Sequence, residues 1–111
     1  MSSQQTGWLG EMRAALYVRR QGMRLLARRY RAAHGEVDLI AQDQGTLVFI
    51  EVKARPHGHL DDGFRAVNAE KRRRLRSAAQ AYQMNAGWSG PVRFDIIEIS
   101  AAGLRHMKNA F

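Results

Sequence analysis

Eighteen residues with helical character, "AEKRRRLRSAAQAYQMNA" (69–86), separate two strongly apolar segments, "LVFIEVKAR" (47–55) and "PVRFDIIEIS" (91–100). This arrangement constrains the fold more than any other feature of the chain. A helix of that length between two strands is what a parallel crossover requires, so the two segments are expected side by side in one sheet, through a right-handed connection. Asn68 suits the helix N-cap, Leu75, Ala78, Ala79 and Tyr82 form its buried stripe, and Gly87 ends it.

The remaining segments fall into place around that unit. A first helix is expected from about Ser3 or Thr6 to Gln21, with Trp8, Leu9, Met12, Ala15 and Leu16 at helical spacing and Gly22 at its close. Residues 23–31 read as a strand whose arginines face solvent, and 36–42 as a second strand. "DQGT" is a hairpin turn signal leading into a third strand, 46–54. Residues 103–111 are left between an edge strand and a tail. The order αβββαβ is a mixed α/β fold, a mixed central sheet flanked by helices. At 111 residues the chain holds a single core, so one domain over 1–111 is expected.

Charge narrows the function. Eighteen Lys and Arg, fifteen of them Arg, stand against ten Asp and Glu, a net charge of +8. Such a surplus on a small body favours polyanions, and nucleic acid before a membrane surface, because counterion release drives the binding. The absence of cysteine excludes disulfides and thiolate metal sites. No run is apolar enough to span a membrane and the start carries no signal-peptide core, so a cytoplasmic protein is expected.

The third strand poses the chemical question. Glu51 and Lys53 are two apart, so a pleated strand turns both to one face. If Gln44-Gly45 is a two-residue turn, Asp38 falls opposite Glu51, with the side chains roughly 5 Å apart. Two carboxylates that close need a cation between them. Lys53 alone could be that cation, in an ion pair that contributes little net stability. A hard divalent cation bound by oxygen ligands is the functional alternative.

These residues carry a resemblance. Asp38 in "GEVDLIA", followed after twelve residues by Glu51-Val52-Lys53 in "LVFIEVKAR", resembles the D…(D/E)-x-K core of the PD-(D/E)xK nuclease superfamily. With "GWLGEMRAALYVRRQGMRLLARRYR", "AVNAEKRRRLRSAAQAY" and "RFDII", the chain is similar over nearly its whole length to the small bacterial YraN-like family of endonucleases, relatives of archaeal Holliday-junction resolvases. The resemblance implies a restriction-endonuclease-like core and metal-dependent hydrolysis of phosphodiester bonds in nucleic acid, with DNA, branched DNA included, the expected substrate. Asp38 and Glu51 would bind Mg²⁺ or Mn²⁺, the Val52 carbonyl and Glu11 would assist, and Lys53 would complete the catalytic set. Lys71 would face the same cleft.

Beside two carboxylates Lys53 is expected to keep its proton, which suits a phosphate clamp better than a general base. Arg55, Lys71, Arg72, Arg73 and Arg74 are the candidate nucleic-acid contacts. Asp95 and Glu98 point to opposite faces of the last strand and are left outside the site. His57 and His59 read as solvent-exposed, with no third ligand spaced to help. The stretch "HLDDGFRAV" departs from the family pattern, with Arg65 where a glutamate is common, and puts the substrate-side loop in question. A nucleic-acid-binding module without turnover and a basic protein-interaction adaptor remain the alternatives. A homodimer stays open.

Overall fold

The computed structural model describes residues 3–55 and 67–111, with side chains from 9 to 54 and from 67 onward. The elements are α1 (Ser3–Arg20), β1 (Arg24–Ala32), β2 (Gly35–Asp43), β3 (Thr46–Arg55), α2 (Ala69–Ala86), β4 (Val92–Ser100) and β5 (Gly103–Met107). They build one five-stranded sheet in the order β1-β2-β3-β4-β5. β3 and β4 pair in parallel, as the crossover requires, and every other neighbouring pair is antiparallel. The fold is the expected mixed α/β arrangement, compatible with a restriction-endonuclease-like core. Among the described residues no helix is long and apolar enough to cross a membrane.

The sheet is buried on both faces, which is why β3 reads as a continuous apolar run rather than an alternating one. Leu47, Val48, Phe49 and Ile50 are all essentially inaccessible to water. Val48 and Ile50 pack with Leu39, Ala41, Ile97 and the α1 residues Ala14 and Val18. Leu47 and Phe49 pack on the opposite face with Ile40, Ile96 and the α2 residues Leu75, Ala78 and Ala79. The α2 boundaries are chemical. Asn68 Oδ1 accepts the Lys71 N–H at 3.0 Å, and Gly87 takes the left-handed conformation (φ 66°) that ends the helix.

α1 corrects one expectation. Leu9, Met12 and Leu16 remain 45%, 42% and 48% exposed, whereas Glu11, Ala14, Ala15 and Val18 are buried. Small residues win the inward face because they let the helix approach the sheet closely. A Cβ on Gly10 would lie 2.6 Å from the Ala54 Cβ of β3. Trp8, expected in the same stripe, has its side chain outside the described residues.

A polar network on the α1 face fastens the far edge of the sheet. Asp95, fully buried on β4, accepts hydrogen bonds from Arg93 Nε (2.9 Å), Arg93 Nη2 (3.1 Å) and the Asn109 N–H (3.1 Å), and bonds His106 Nε2 at 2.7 Å. His106 in turn meets the Tyr17 hydroxyl of α1 at 3.1 Å, and Arg93 reaches Asp43 at 3.0 Å. Burial alone would raise the Asp95 carboxyl, but the bonds from His106, Arg93 and Asn109 outweigh it and hold the group below the usual range.

The β1–β2 turn abuts α2. A Cβ on Gly35 would sit 2.0 Å from the Arg74 carbonyl oxygen, a backbone atom that cannot swing away. Gly35→Ala is therefore expected to cost about 3 kcal/mol. Gly45→Ala, with no atom near the new methyl, should stay within about 1 kcal/mol of wild type. Urea unfolding of the two variants checks the contrast.

Candidate active site

The hairpin register places the acids. β2 and β3 pair from Asp43↔Thr46 to Leu39↔Ile50, and the ladder stops one step before Asp38 and Glu51. There the strands part, and the Asp38 carboxylate replaces the missing backbone acceptor, taking the Val52 N–H at 2.8 Å. This bond satisfies a donor that would otherwise be orphaned and anchors Asp38 beside Glu51, which is only 6% exposed. Burial, and then the charge of Glu51, push the Asp38 carboxyl up to about 8. The Val52 N–H works the other way, while a hydrogen bond to Glu51 and the charge of Glu11 add to the rise. Without a cation between them, Asp38 keeps its proton well above the usual carboxylate range.

Two ammonium groups meet on the same oxygen. Lys53 Nζ lies 3.5 Å from Glu51 Oε1, and Lys71 Nζ lies 3.2 Å from it. The Asn68 cap fixes where Lys71 enters, because Lys71 supplies the N–H that the cap accepts. The expected pull of Glu51 on the Lys53 proton is present but opposed. Burial and the neighbouring Lys71 lower Lys53 despite the pull of Glu51. Lys71 is shifted the other way: burial opposes its charge, but its contact with Lys53 and the charges of Glu51 and Asp38 raise it. The two lysines therefore differ in kind, Lys71 the firmer cation and Lys53 the readier to lose a proton.

Two further groups adjoin the acids. Glu11, 7% exposed on α1, accepts from Arg29 Nε at 2.6 Å. Glu98, fully buried on β4, lies in register with Lys53 on one side and Arg105 on the other, so the three share a face. The sequence leaves Glu98 out because nothing in it fixes the parallel register that puts Glu98 beside Lys53.

The donor set suits a hard divalent cation. Mg²⁺ is commonly held by one or two carboxylates, with water and phosphate oxygens completing its shell. Asp38 and Glu51 are such a pair, and a cation between them would remove the repulsion that raises Asp38. Among the described residues no three Asp, Glu or His side chains are grouped to hold a metal unaided. Glu11, the expected third acid, is engaged by Arg29.

Comparison with known proteins places this geometry. The model of an uncharacterised protein family, UPF0102, matches residues 10–99. The chain belongs to the UPF0102 family. A UPF0102 protein of Chlorobium chlorochromatii is 39% identical over 120 residues, covering 99% of this chain and 93% of that one. One from Lachnoclostridium phytofermentans is 37% identical over 115 residues, covering 100% and 96%. One from Oleidesulfovibrio alaskensis is 47% identical over 92 residues, and there the match spans 82% of this chain but only 46% of the relative. The UPF0102 match contains every acid and lysine of the site.

In this UPF0102 member the acids open into a cleft of about 600 Å³ between the β1–β2 turn and the first turns of α2. Arg31 and Glu36 form one wall, Glu70 and Arg74 the other, with Asp38, Glu51 and Lys71 between them. Each wall is internally paired, Arg31 to Glu36 and Arg74 to Glu70, both at 3.0 Å. The expected nucleic-acid contacts thus separate. Lys71 joins the acids, and Arg73 is exposed. Arg72 donates to the Val67 carbonyl at 3.0 Å and lies over the Phe111 ring. The Arg55 side chain, His57, His59 and the 58–65 stretch lie outside the described residues.

The raised Asp38 makes stability fall with pH. Its unfolded carboxyl loses its proton near the usual carboxylate value of 3.8, while the folded one holds it until about 8. The folded state binds the extra proton between those limits, so this contribution is complete below the lower one and lost as pH rises through the upper. In EDTA, wild type should lose about 2 kcal/mol or more between pH 5 and pH 8 relative to Asp38→Asn. Urea titrations of both proteins at the two pH values check the sign.

Proposed function

We propose that this UPF0102 protein is a metal-dependent endonuclease of the PD-(D/E)xK type, hydrolysing phosphodiester bonds of nucleic acid, with DNA the expected substrate. One observation carries the reading: two carboxylates from adjacent strands are forced together at the foot of an open cleft, with two lysines on one of their oxygens. Buried ion clusters rarely repay their desolvation in stability, so such a cluster is better explained by chemistry than by folding. The net charge of +8 suits a polyanionic substrate, DNA or RNA.

In this reading Asp38 and Glu51, with the Val52 carbonyl, hold Mg²⁺ or Mn²⁺. When bound, the cation supplies Lewis-acid stabilisation of charge on the phosphate and acidifies a water. Lys71, the firmer cation, holds a non-bridging phosphate oxygen and offsets the charge that develops there. Lys53, held beside Glu51, aims its ammonium at the reacting centre and shares with Lys71 in offsetting the charge that develops on the phosphate. Glu98 positions Lys53 from the neighbouring strand. Arg73 and the arginine-bearing cleft walls hold the flanking backbone.

Cleavage of end-labelled single-stranded, duplex, flapped and four-way-junction DNA, with matching RNA, tests the proposal in Mg²⁺, Mn²⁺ and EDTA. Wild type should cut only with metal. Asp38→Asn and Glu51→Gln should each lose at least about a hundredfold in rate, and Lys71→Met a smaller factor. Equal cutting by wild type and Asp38→Asn overturns the assignment. Retained, salt-sensitive binding with no cutting in any condition identifies a binding module instead.

A further inference from the structure

Two arginines of α2 lie over aromatic rings. The Arg72 guanidinium stands 5.3 Å from the centre of the Phe111 ring, and that of Arg76 stands 5.8 Å from Phe111 and 6.0 Å from Phe94. Phe94 and Phe111 are stacked with centroids 5.4 Å apart, and Phe94 stacks in turn on Phe49 of β3 at 5.5 Å. The row is anchored at Phe49, 1% exposed, and reaches the surface at Phe94 and Phe111, both half-buried. The Ala110 N–H donates to the Phe94 carbonyl at 2.8 Å and holds Phe111 in place. Arg72 is fixed through the bond from its Nε to the Val67 carbonyl, whereas Arg76 is exposed.

The helix relates this surface to the cleft. Lys71 and Arg74 line the cleft, and at about 100° per residue Arg72 and Arg76 fall on the other flank of α2, with exposed Arg73 on the crest between. Core packing accounts for the rings alone and solvation for an arginine alone. Two guanidinium planes set against a core-anchored stack make a surface that is cationic and flat at once. A phosphate backbone is drawn by the charge, and an unpaired base by the flat faces; a duplex keeps its base faces inside. We infer that this flank of α2 binds unpaired nucleotides next to the cleft, their bases stacking on the Phe94–Phe111 pair and on the guanidiniums of Arg72 and Arg76. The inference rests on the nucleic-acid part of the reading above, needs no metal, and narrows the substrate to one with a single-stranded stretch beside the cleavage point.

Fluorescence anisotropy in EDTA, where binding is read without cleavage, tests this with three labelled DNAs: a blunt duplex, the same duplex with a single-stranded flank, and that flank with its bases removed. Wild type should bind the intact flank about tenfold tighter than the abasic one, although both carry the same phosphates. Phe111→Leu, which keeps an apolar side chain but loses the ring face, should lose about fivefold on the intact flank and nothing on the blunt duplex. Arg76→Gln, at an exposed position where folding is not at risk, should reduce the same preference. Phe111→Trp supplies a direct readout, since a stacked base quenches the indole and an abasic flank leaves it bright. Equal affinity for intact and abasic flanks overturns the inference, as does an equal loss by both variants on blunt and flanked DNA, which marks charge alone. An indole unquenched by the intact flank does the same. In all three cases the metal-dependent cleavage reading stands. If wild type binds none of the DNAs nor their RNA counterparts, the nucleic-acid reading falls and the inference falls with it.

Discussion

Everything around the cleft answers one repulsion, that between Asp38 and Glu51. The hairpin register brings them together and the parting of β2 and β3 leaves room for them. The Val52 N–H and Lys53, both from β3, and Lys71 from α2 are the local compensations. None removes the strain, because the Asp38 carboxyl still stands far above its ordinary range. Such a pair, kept against the stability of the fold, is what the proposed cation site would need.

The two faces of the sheet handle buried charge in opposite ways. On the α1 face Asp95 is surrounded by donors until its proton is easily lost. That network is saturated, and it ties α1, β2, β4 and β5 into one unit. On the α2 face the acids are crowded by each other and their partners are lysines shared among several groups. The same residue type is thus fully partnered in one place and crowded in the other, and the difference lies in the count of donors.

Much of this was legible in the sequence wherever local chemistry decides. The Gln44-Gly45 turn sets a parity that runs unbroken to Leu39↔Ile50, and that parity brought Asp38 to Glu51. The eighteen-residue helix dictated the parallel pairing, and Asn68 and Gly87 marked its ends. Where distant parts decide, the sequence was silent. The direction of the Lys53 shift depends on burial, and then on Lys71, brought in from another element. The inward face of α1 was chosen by close approach at Gly10 and Ala14 rather than by the bulk of Leu9 and Leu16. The left-handed turn at Arg29 leaves no mark in a run of arginines.

The contact between Gly35 and Arg74 has a mechanical meaning. It joins the two walls of the cleft at their back, hairpin against helix backbone, with no side chain between them to act as a cushion. A jaw welded at its hinge has a fixed gape. On the proposed reading, a nucleic acid seated there would conform to the protein, and the energy of bending or unstacking would fall on the polymer. Selectivity in such a cleft would follow how readily a strand deforms, independently of the order of its bases.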